Sequence, residues 1–258
     1  MCLIALALDA HPQYALVLAA NRDEFHHRPT APASWWDDAP QIFGGRDLQS
    51  HGTWLALARD GRWAAVTNVR RMIPPDPNAP SRGRLVAHYL RQTDDAAAYA
   101  GALEPEADRY AGFNLLLGDA AGAWYLSNHD GFRRERLAAG VHAVSNAALD
   151  TPWPKLVALR DTVRDWCAEG RTDTAELLTA LARDRVADGA VLPDTGVGEA
   201  MERFLAPAFI RGDRYGTRAS TVLTIDRQGH ALFTEHRFGP HGIPTGHTVE
   251  SLQLAPSN

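Results

Sequence analysis

The apolar residues of this chain come in short runs, set in pairs across turn signals, and that arrangement favours β-hairpins over long helices. Cys2–Leu8 and Tyr14–Ala20 are separated by His11-Pro-Gln13, so they predict two buried strands, the second leading into Asn21-Arg-Asp-Glu24. Thr53–Ala58 and Arg62–Asn68 flank an Asp-Gly turn and predict a hairpin. Gly112–Asp119 and Ala123–Asn128 predict another across Ala120-Ala-Gly122, Val141–Asn146 a further strand, and Thr217–Asp226 with His230–Phe238 a last hairpin across Arg227-Gln-Gly229. Between them lie Arg28–Pro40, read as a Pro- and Trp-containing loop, and Met72–Ser81, whose prolines also predict a loop; Gly239–Asn258 is read as a Gly/Pro-rich tail.

Two helical stretches interrupt the strands. Leu85, Val86, Tyr89 and Leu90 share one helical face from Gly83 onward, and alanine-rich Asp94–Leu103 continues to a break at Pro105. From Trp153, residues Leu156, Leu159, Val163, Trp166 and Cys167 repeat at helical spacing, and Thr174–Arg183 follows with Thr172 or Asp173 as its cap. Strands, helix pair, strands, helix pair and strands, with short connections, make an α+β order and not an alternating parallel one. The strands are apolar along most of their length, as when both sheet faces are covered, so a four-layer αββα sandwich of mostly antiparallel sheets is expected. No linker or internal repeat divides residues 1–258, which read as one domain.

With 258 residues, 45% hydrophobic and 22% charged, the chain has ordinary globular composition. Its net charge of −5 offers no basic field for a nucleic-acid backbone. Of its 26 cationic residues only Lys155 is lysine, a bias read as genomic and not functional. The apolar runs fall far short of the roughly 18 residues of a membrane span, and no secretory signal is evident, so no transmembrane segment and a cytoplasmic location are expected. Cys2 and Cys167 do not make a disulfide framework. Nucleophile-elbow, phosphate-loop and metalloprotease motifs are absent, and Gly196-Val-Gly198 lacks the third glycine of a dinucleotide fingerprint. The eleven histidines lack the spacing of a fixed metal site, so no metal is expected.

Cys2 is the residue with chemical potential. Removal of Met1 would leave a thiol and an α-amine on one residue, the amine titrating near 7.7–8.0 and able to act as base toward a thiol of pKa about 8.5. The plain alternative is a small hydrophobe opening a buried strand.

Met1-Cys-Leu-Ile4, Leu18-Ala-Ala-Asn-Arg-Asp-Glu-Phe25, Arg28-Pro29, Gly52-Thr-Trp-Leu55, Ala65-Val-Thr-Asn68, Ser81-Arg-Gly83, Gly112-Phe-Asn114, Val144-Ser-Asn146 and Gly216-Thr-Arg218 follow one another along the chain. This ordered series resembles the NRDE family, also called the transport and Golgi organisation protein 2 family, up to about Phe238. The family in turn resembles cysteine N-terminal nucleophile hydrolases, which have the αββα fold.

The resemblance implies a nucleophile at Cys2 and a carboxylate at Asp23 that holds the nucleophile's amine. It further implies oxyanion donors at Asn68 and Asn146, and an arginine at Arg218 that lowers the thiol pKa. Asn21, Arg22 and Trp54 are expected at the substrate site, with Trp35 and Trp36 as further apolar lining. Taken singly, each has a structural reading: Asn68 and Asn146 as strand-end caps, Asp23 as a partner of Arg22 or Arg28, Arg218 as a solvated edge residue. One position departs from the hydrolase pattern, which has arginine three residues before the aspartate, where this chain has Ala20; its arginine is Arg22, which a regular strand turns away from Asn21 and Asp23.

The implied activity is hydrolysis of an amide, ester or thioester of an acyl-containing small molecule, with no required cofactor. The alternative is a non-catalytic carrier of haem or lipid on the same fold, consistent with the family's links to haem movement and lipid homeostasis.

Overall fold

A computed structural model describes residues 2–70, 76–186 and 189–255. Part of the predicted Met72–Ser81 loop lies outside them; residues 76–81 are turn and coil.

Thirteen strands form two antiparallel sheets among the described residues. The first sheet contains β1 (Cys2–Leu8), β2 (Tyr14–Phe25), β10 (Gly140–Val144), β11 (Tyr215–Asp226), β12 (His230–Phe238) and β13 (Pro244–Gln253), in the order β10-β1-β2-β11-β12-β13. The second runs in sequence order through β3 (Thr30–Trp36), β4 (Ala39–Asp47), β5 (Leu55–Ala58), β6 (Trp63–Asn68), β7 (Phe113–Asp119), β8 (Gly122–Ser127) and β9 (Arg133–Arg136). Against its outer face lie α1 (Gly83–Arg91) and α2 (Ala96–Ala102). The outer face of the first sheet carries α3 (Pro154–Ala168) and α4 (Ala175–Leu181). The layers are therefore helix, sheet, sheet, helix.

Strand alternation explains why β1 and β2 are apolar on both sides. Ile4, Leu6, Leu16 and Leu18 face the second sheet, where they meet Phe43, Leu55 and Leu116. Leu3, Ala5, Val17 and Ala19 face Leu156, Leu159, Val163 and Leu177 of the helices. A one-residue slip would exchange two faces that are both buried, so register is held by the polar residues at the strand ends.

Several elements differ from expectation. Arg28–Pro40 is not a loop: it contains all of β3 and the start of β4, closed by a turn at Asp37-Asp38, with Trp36 Nε1 donating to the Gly44 carbonyl at 3.0 Å. The predicted tail from Gly239 is not simply a tail over its described part, residues 239–255, because β13 pairs along β12 from Gln253↔His230 to Pro244↔Phe238; residues 256–258 lie outside the described residues. The helix break at Pro105 is a short 3-10 helix, Glu104–Arg109. The chain also contains β9 and a further helix, α5 (Glu199–Leu205), that local pattern did not reveal. No described helix is long and apolar enough to cross a membrane.

Candidate functional site

At one end of the sandwich the start of β1, the end of β2 and the end of β6 surround a cavity of about 490 Å³. Cys2, Arg22, Asp23, Trp54 and Asn68 contribute to its wall. A larger cavity of about 910 Å³, at the opposite end near Leu8 and Trp63, contains none of the predicted site residues.

Cys2 is held by the strands on either side. It pairs with Arg22 of β2, and its carbonyl accepts a hydrogen bond from the Ser145 hydroxyl at 3.0 Å. Its side chain is 7% exposed, and burial raises the thiol pKa; the nearby Arg22 guanidinium acts the other way. Arg218, predicted to tune the thiol, is elsewhere. It is the extra residue of a bulge between Thr217 and Ala219, and its Nη1 donates to the carbonyls of Phe25, His26 and Arg28 at 2.8–3.2 Å. It does not line the cavity, and the guanidinium groups that act on Cys2 are those of Arg22 and Arg82.

Asp23 is buried where the same bulge begins. The Thr217 hydroxyl donates to its Oδ1 at 2.7 Å and accepts from the Ile210 N–H at 2.9 Å. Burial raises the Asp23 pKa, against the opposing pull of Lys155. Lys155, the chain's sole lysine, is buried on α3 with its Nζ donating to the Leu205 carbonyl at 2.9 Å, and burial lowers its pKa to about 8. The lysine count contained this signal, but sequence alone did not reveal that the side chain turns inward toward Asp23.

Asn68 lines the cavity and Asn146 stands behind it. Asn146 Nδ2 donates to both the main-chain oxygen and Oδ1 of Asn68, each at 3.0 Å. A polar seam continues beside them: the Thr67 hydroxyl donates to the Ser145 carbonyl at 2.6 Å, and Asn114 Nδ2 donates to the Ala147 carbonyl at 2.9 Å. These contacts join the ends of the two sheets and account for the Val-Thr-Asn, Gly-Phe-Asn and Val-Ser-Asn motifs.

Asn21 is a correction. Its Nδ2 donates to the carbonyls of Leu181 and Ala208 at 2.8 and 2.7 Å, and its Oδ1 accepts from the Ser220 hydroxyl at 2.6 Å. It ties the sheet to the helix layer, away from the cavity. Trp35 and Trp36 are also displaced: Trp35 Nε1 donates to Glu250 at 3.0 Å, and the Arg46 guanidinium covers the Trp36 ring. Trp54 is the tryptophan in the cavity wall, and the remaining apolar lining includes Phe25, Val66, Met201, Phe204 and Leu205. Sequence reasoning missed α5 as a source of that lining. Its Glu202 is tethered to Arg70 at 2.6 Å, with both side chains almost fully buried.

This layered architecture, with a cysteine at the cavity end of β1, has the fold of N-terminal nucleophile hydrolases. It is similar to a Caenorhabditis elegans ortholog of N-acylethanolamine-hydrolyzing acid amidase at a TM-score of 0.52 and 9% identity, over 86% of this chain and 92% of that one. It is also similar to a mutant conjugated bile acid hydrolase from Clostridium perfringens at a TM-score of 0.53 and 9% identity, over 98% and 92%.

The profile of the family described as transport and Golgi organisation 2 matches residues 1–240, and the chain belongs to that family. The Bos taurus transport and Golgi organization protein 2 homolog is 35% identical over 91% of this chain and 92% of its own length. The Homo sapiens homolog is 34% identical over the same shares.

Proposed function

We propose that this protein is an N-terminal cysteine hydrolase that cleaves an amide, ester or thioester of an acyl-containing small molecule. The observation that carries the reading is the convergence of Cys2, Asp23 and Asn68 on one cavity with a partly apolar wall. After removal of Met1, the Cys2 thiol attacks the substrate carbonyl carbon and its proton passes to the residue's own α-amine. Asp23 stabilises the resulting ammonium, and Asn68 Nδ2 donates to the oxyanion, with Asn146 holding the amide in place. Collapse of the tetrahedral intermediate expels the amine, alcohol or thiol, which takes the proton from the ammonium. Water then attacks the thioester carbon, losing a proton to the α-amine, and collapse of this second tetrahedral intermediate breaks the C–S bond, the ammonium returning the proton to the Cys2 sulfur as the acid leaves. Because burial holds the thiol pKa up, proton transfer during attack fits this site better than a preformed thiolate.

Both cysteines are free, in keeping with a reducing compartment such as the cytoplasm. No cofactor enters the scheme.

The test is the intact mass of the protein before and after a cysteine-directed acyl electrophile, with Cys2→Ala and Cys167→Ala controls, followed by turnover of acyl amides and thioesters. Loss of methionine and a single adduct that disappears only in Cys2→Ala are expected. Retained Met1 would remove the base and overturn the mechanism. A haem Soret band or co-purified lipid on such a protein would favour the carrier reading instead.

A further inference from the structure

The cavity beside Cys2 has four arginines in its wall, and three are committed. Arg28 Nη2 lies 2.6 Å from Asp47, Arg46 makes a two-pronged contact with Asp38 at 2.6 and 3.0 Å, and Arg22 lies 4.0 Å from Glu24. Arg82 is different. Its Nη1 donates to the Gly112 carbonyl at 3.1 Å, and no carboxylate among the described residues lies within ion-pair distance. A guanidinium has five N–H donors in a planar fork matched to carboxylate and phosphate, so most of its binding capacity is left open.

The backbone forces this placement. A Cβ on Gly52 would lie 2.5 Å from the Gly83 carbonyl carbon, and one on Gly83 would lie 2.9 Å from the Thr53 carbonyl oxygen. The Thr53 N–H donates to the Gly83 carbonyl at 3.2 Å. The Gly-Thr-Trp and Ser-Arg-Gly segments therefore pack backbone to backbone, locking Arg82 at the cavity wall just before α1. No acidic residue occupies the first turn of α1, so the positive end of the helix reinforces the same sign. Arg82 is within electrostatic reach of the Cys2 thiol, Glu24 and Arg28, and burial lowers its pKa. Arg82 is half-buried at the cavity wall, so an anion that displaces water from its open donors meets a cation less screened than one on the surface.

We propose that Arg82 binds a compact anion, a carboxylate or phosphate group, carried by the molecule that occupies the cavity, and so selects anionic acyl compounds. This rests on reading the cavity as the substrate site, but its test does not require catalysis.

In a Cys167→Ala background, Cys2 is alkylated with anionic iodoacetate and, separately, with neutral iodoacetamide, and the adduct is followed by mass. The ratio of the two rates is expected to exceed that of a free thiol by about tenfold, the gain of a charge-assisted contact. Arg82→Gln is expected to remove the excess, bringing the iodoacetate-to-iodoacetamide ratio to the free-thiol value whatever the loss of the nearby charge does to both rates together, and Arg82→Lys to retain part of it. Arg84→Gln, an equal charge change on the exposed face of α1, is expected to leave the ratio alone. Competition by succinate marks a carboxylate ligand, and competition by inorganic phosphate a phosphate ligand. An unchanged ratio in Arg82→Gln, or a native ratio equal to that of a free thiol, overturns the proposal. Acyl turnover without anion preference would leave the hydrolase reading standing, whereas anion preference without turnover would leave the anion site and remove the hydrolase.

Discussion

Asn146 donates its amide to Asn68 twice, to the main-chain oxygen and to Oδ1, each at 3.0 Å. A carbonyl oxygen only accepts, so the NH2 end of Asn146 must face Asn68, and Asn68 must in turn present Oδ1 to it. This leaves the Asn68 Nδ2 as the amide donor for the cavity that its residue lines, with Asn146 as a positioning residue. Two residues expected to be parallel donors are thus arranged in series.

Asn146→Asp is therefore expected to lower acyl turnover nearly as much as Asn68→Ala, about 10²–10³-fold for loss of one oxyanion donor. A carboxylate at position 146 sets acceptor against acceptor and releases Asn68. If Asn146→Asp retains native kcat while Asn68→Ala does not, the serial arrangement is wrong.

Thr217→Val should destabilise the fold by about 1–3 kcal/mol, because it removes the hydroxyl that donates to Asp23 Oδ1 and takes the side-chain acceptor from the buried Ile210 N–H. It should also raise the Asp23 pKa further, since the lost hydrogen bond favours the charged form. Denaturant unfolding measures the first effect, and Thr217→Ser should restore most of it.

Burial places the Cys2 thiol above its ordinary pKa, and Arg22 opposes that shift. The rate of Cys2 alkylation by iodoacetamide should accordingly keep rising beyond about pH 8.5, the titration point of a free thiol. Arg22→Gln should move the profile upward. A profile that levels off at or below the free-thiol value would contradict the burial argument.

His142 bridges Asp150 and the Ala138 carbonyl, and the Asp150 hydrogen bond raises its pKa, with Arg160 also contacting the carboxylate. A raised folded-state pKa contributes stability that is fully present below the unfolded value of about 6.5 and is lost as pH rises through the folded value. His142→Gln should thus cost about 0.5–1 kcal/mol in mild acid and progressively less toward alkaline pH. Paired melting curves of the native and variant proteins at both pH extremes provide the check.

Gly83→Ala would set a Cβ 2.9 Å from the Thr53 carbonyl oxygen, backbone that cannot yield without moving the Arg82 segment. A loss of about 1–3 kcal/mol is expected, the range of overpacking. It should be accompanied by reduced anion preference at Cys2, read from the iodoacetate and iodoacetamide rates.

The hairpins flanking Asp60-Gly61 and Gln228-Gly229 were legible because glycine with φ near +87° and +81° is a local requirement of the turn. The hairpin of β3 and β4 was hidden by the prolines of Arg28–Pro40, which read as loop although its strands are paired across Trp35↔Phe43 and Ser34↔Gly44. Strand β13 was hidden because it is an exposed edge whose order comes from backbone pairing to β12, leaving no apolar alternation to detect. Helix α5 has seven residues and is anchored by the distant Arg70–Glu202 pair, so its existence depends on a partner remote in sequence.

What the sequence by itself determined was the layered architecture, since alternation and turn signals are local; that Cys2, Asp23 and Asn68 belong together was implied by the family resemblance and not by any local pattern, and all three line one cavity. What only the tertiary structure decided was which cations belong to the site. Arg218 was removed from the cavity by a bulge, Arg82 was set in its wall by close glycine packing, and Lys155, outside that wall, was turned toward Asp23 by the docking of α3, whereas Arg22 stands at the site as the resemblance implied. The placements of Arg82 and Lys155 depend on contacts between segments far apart in the chain, and no local pattern encodes them.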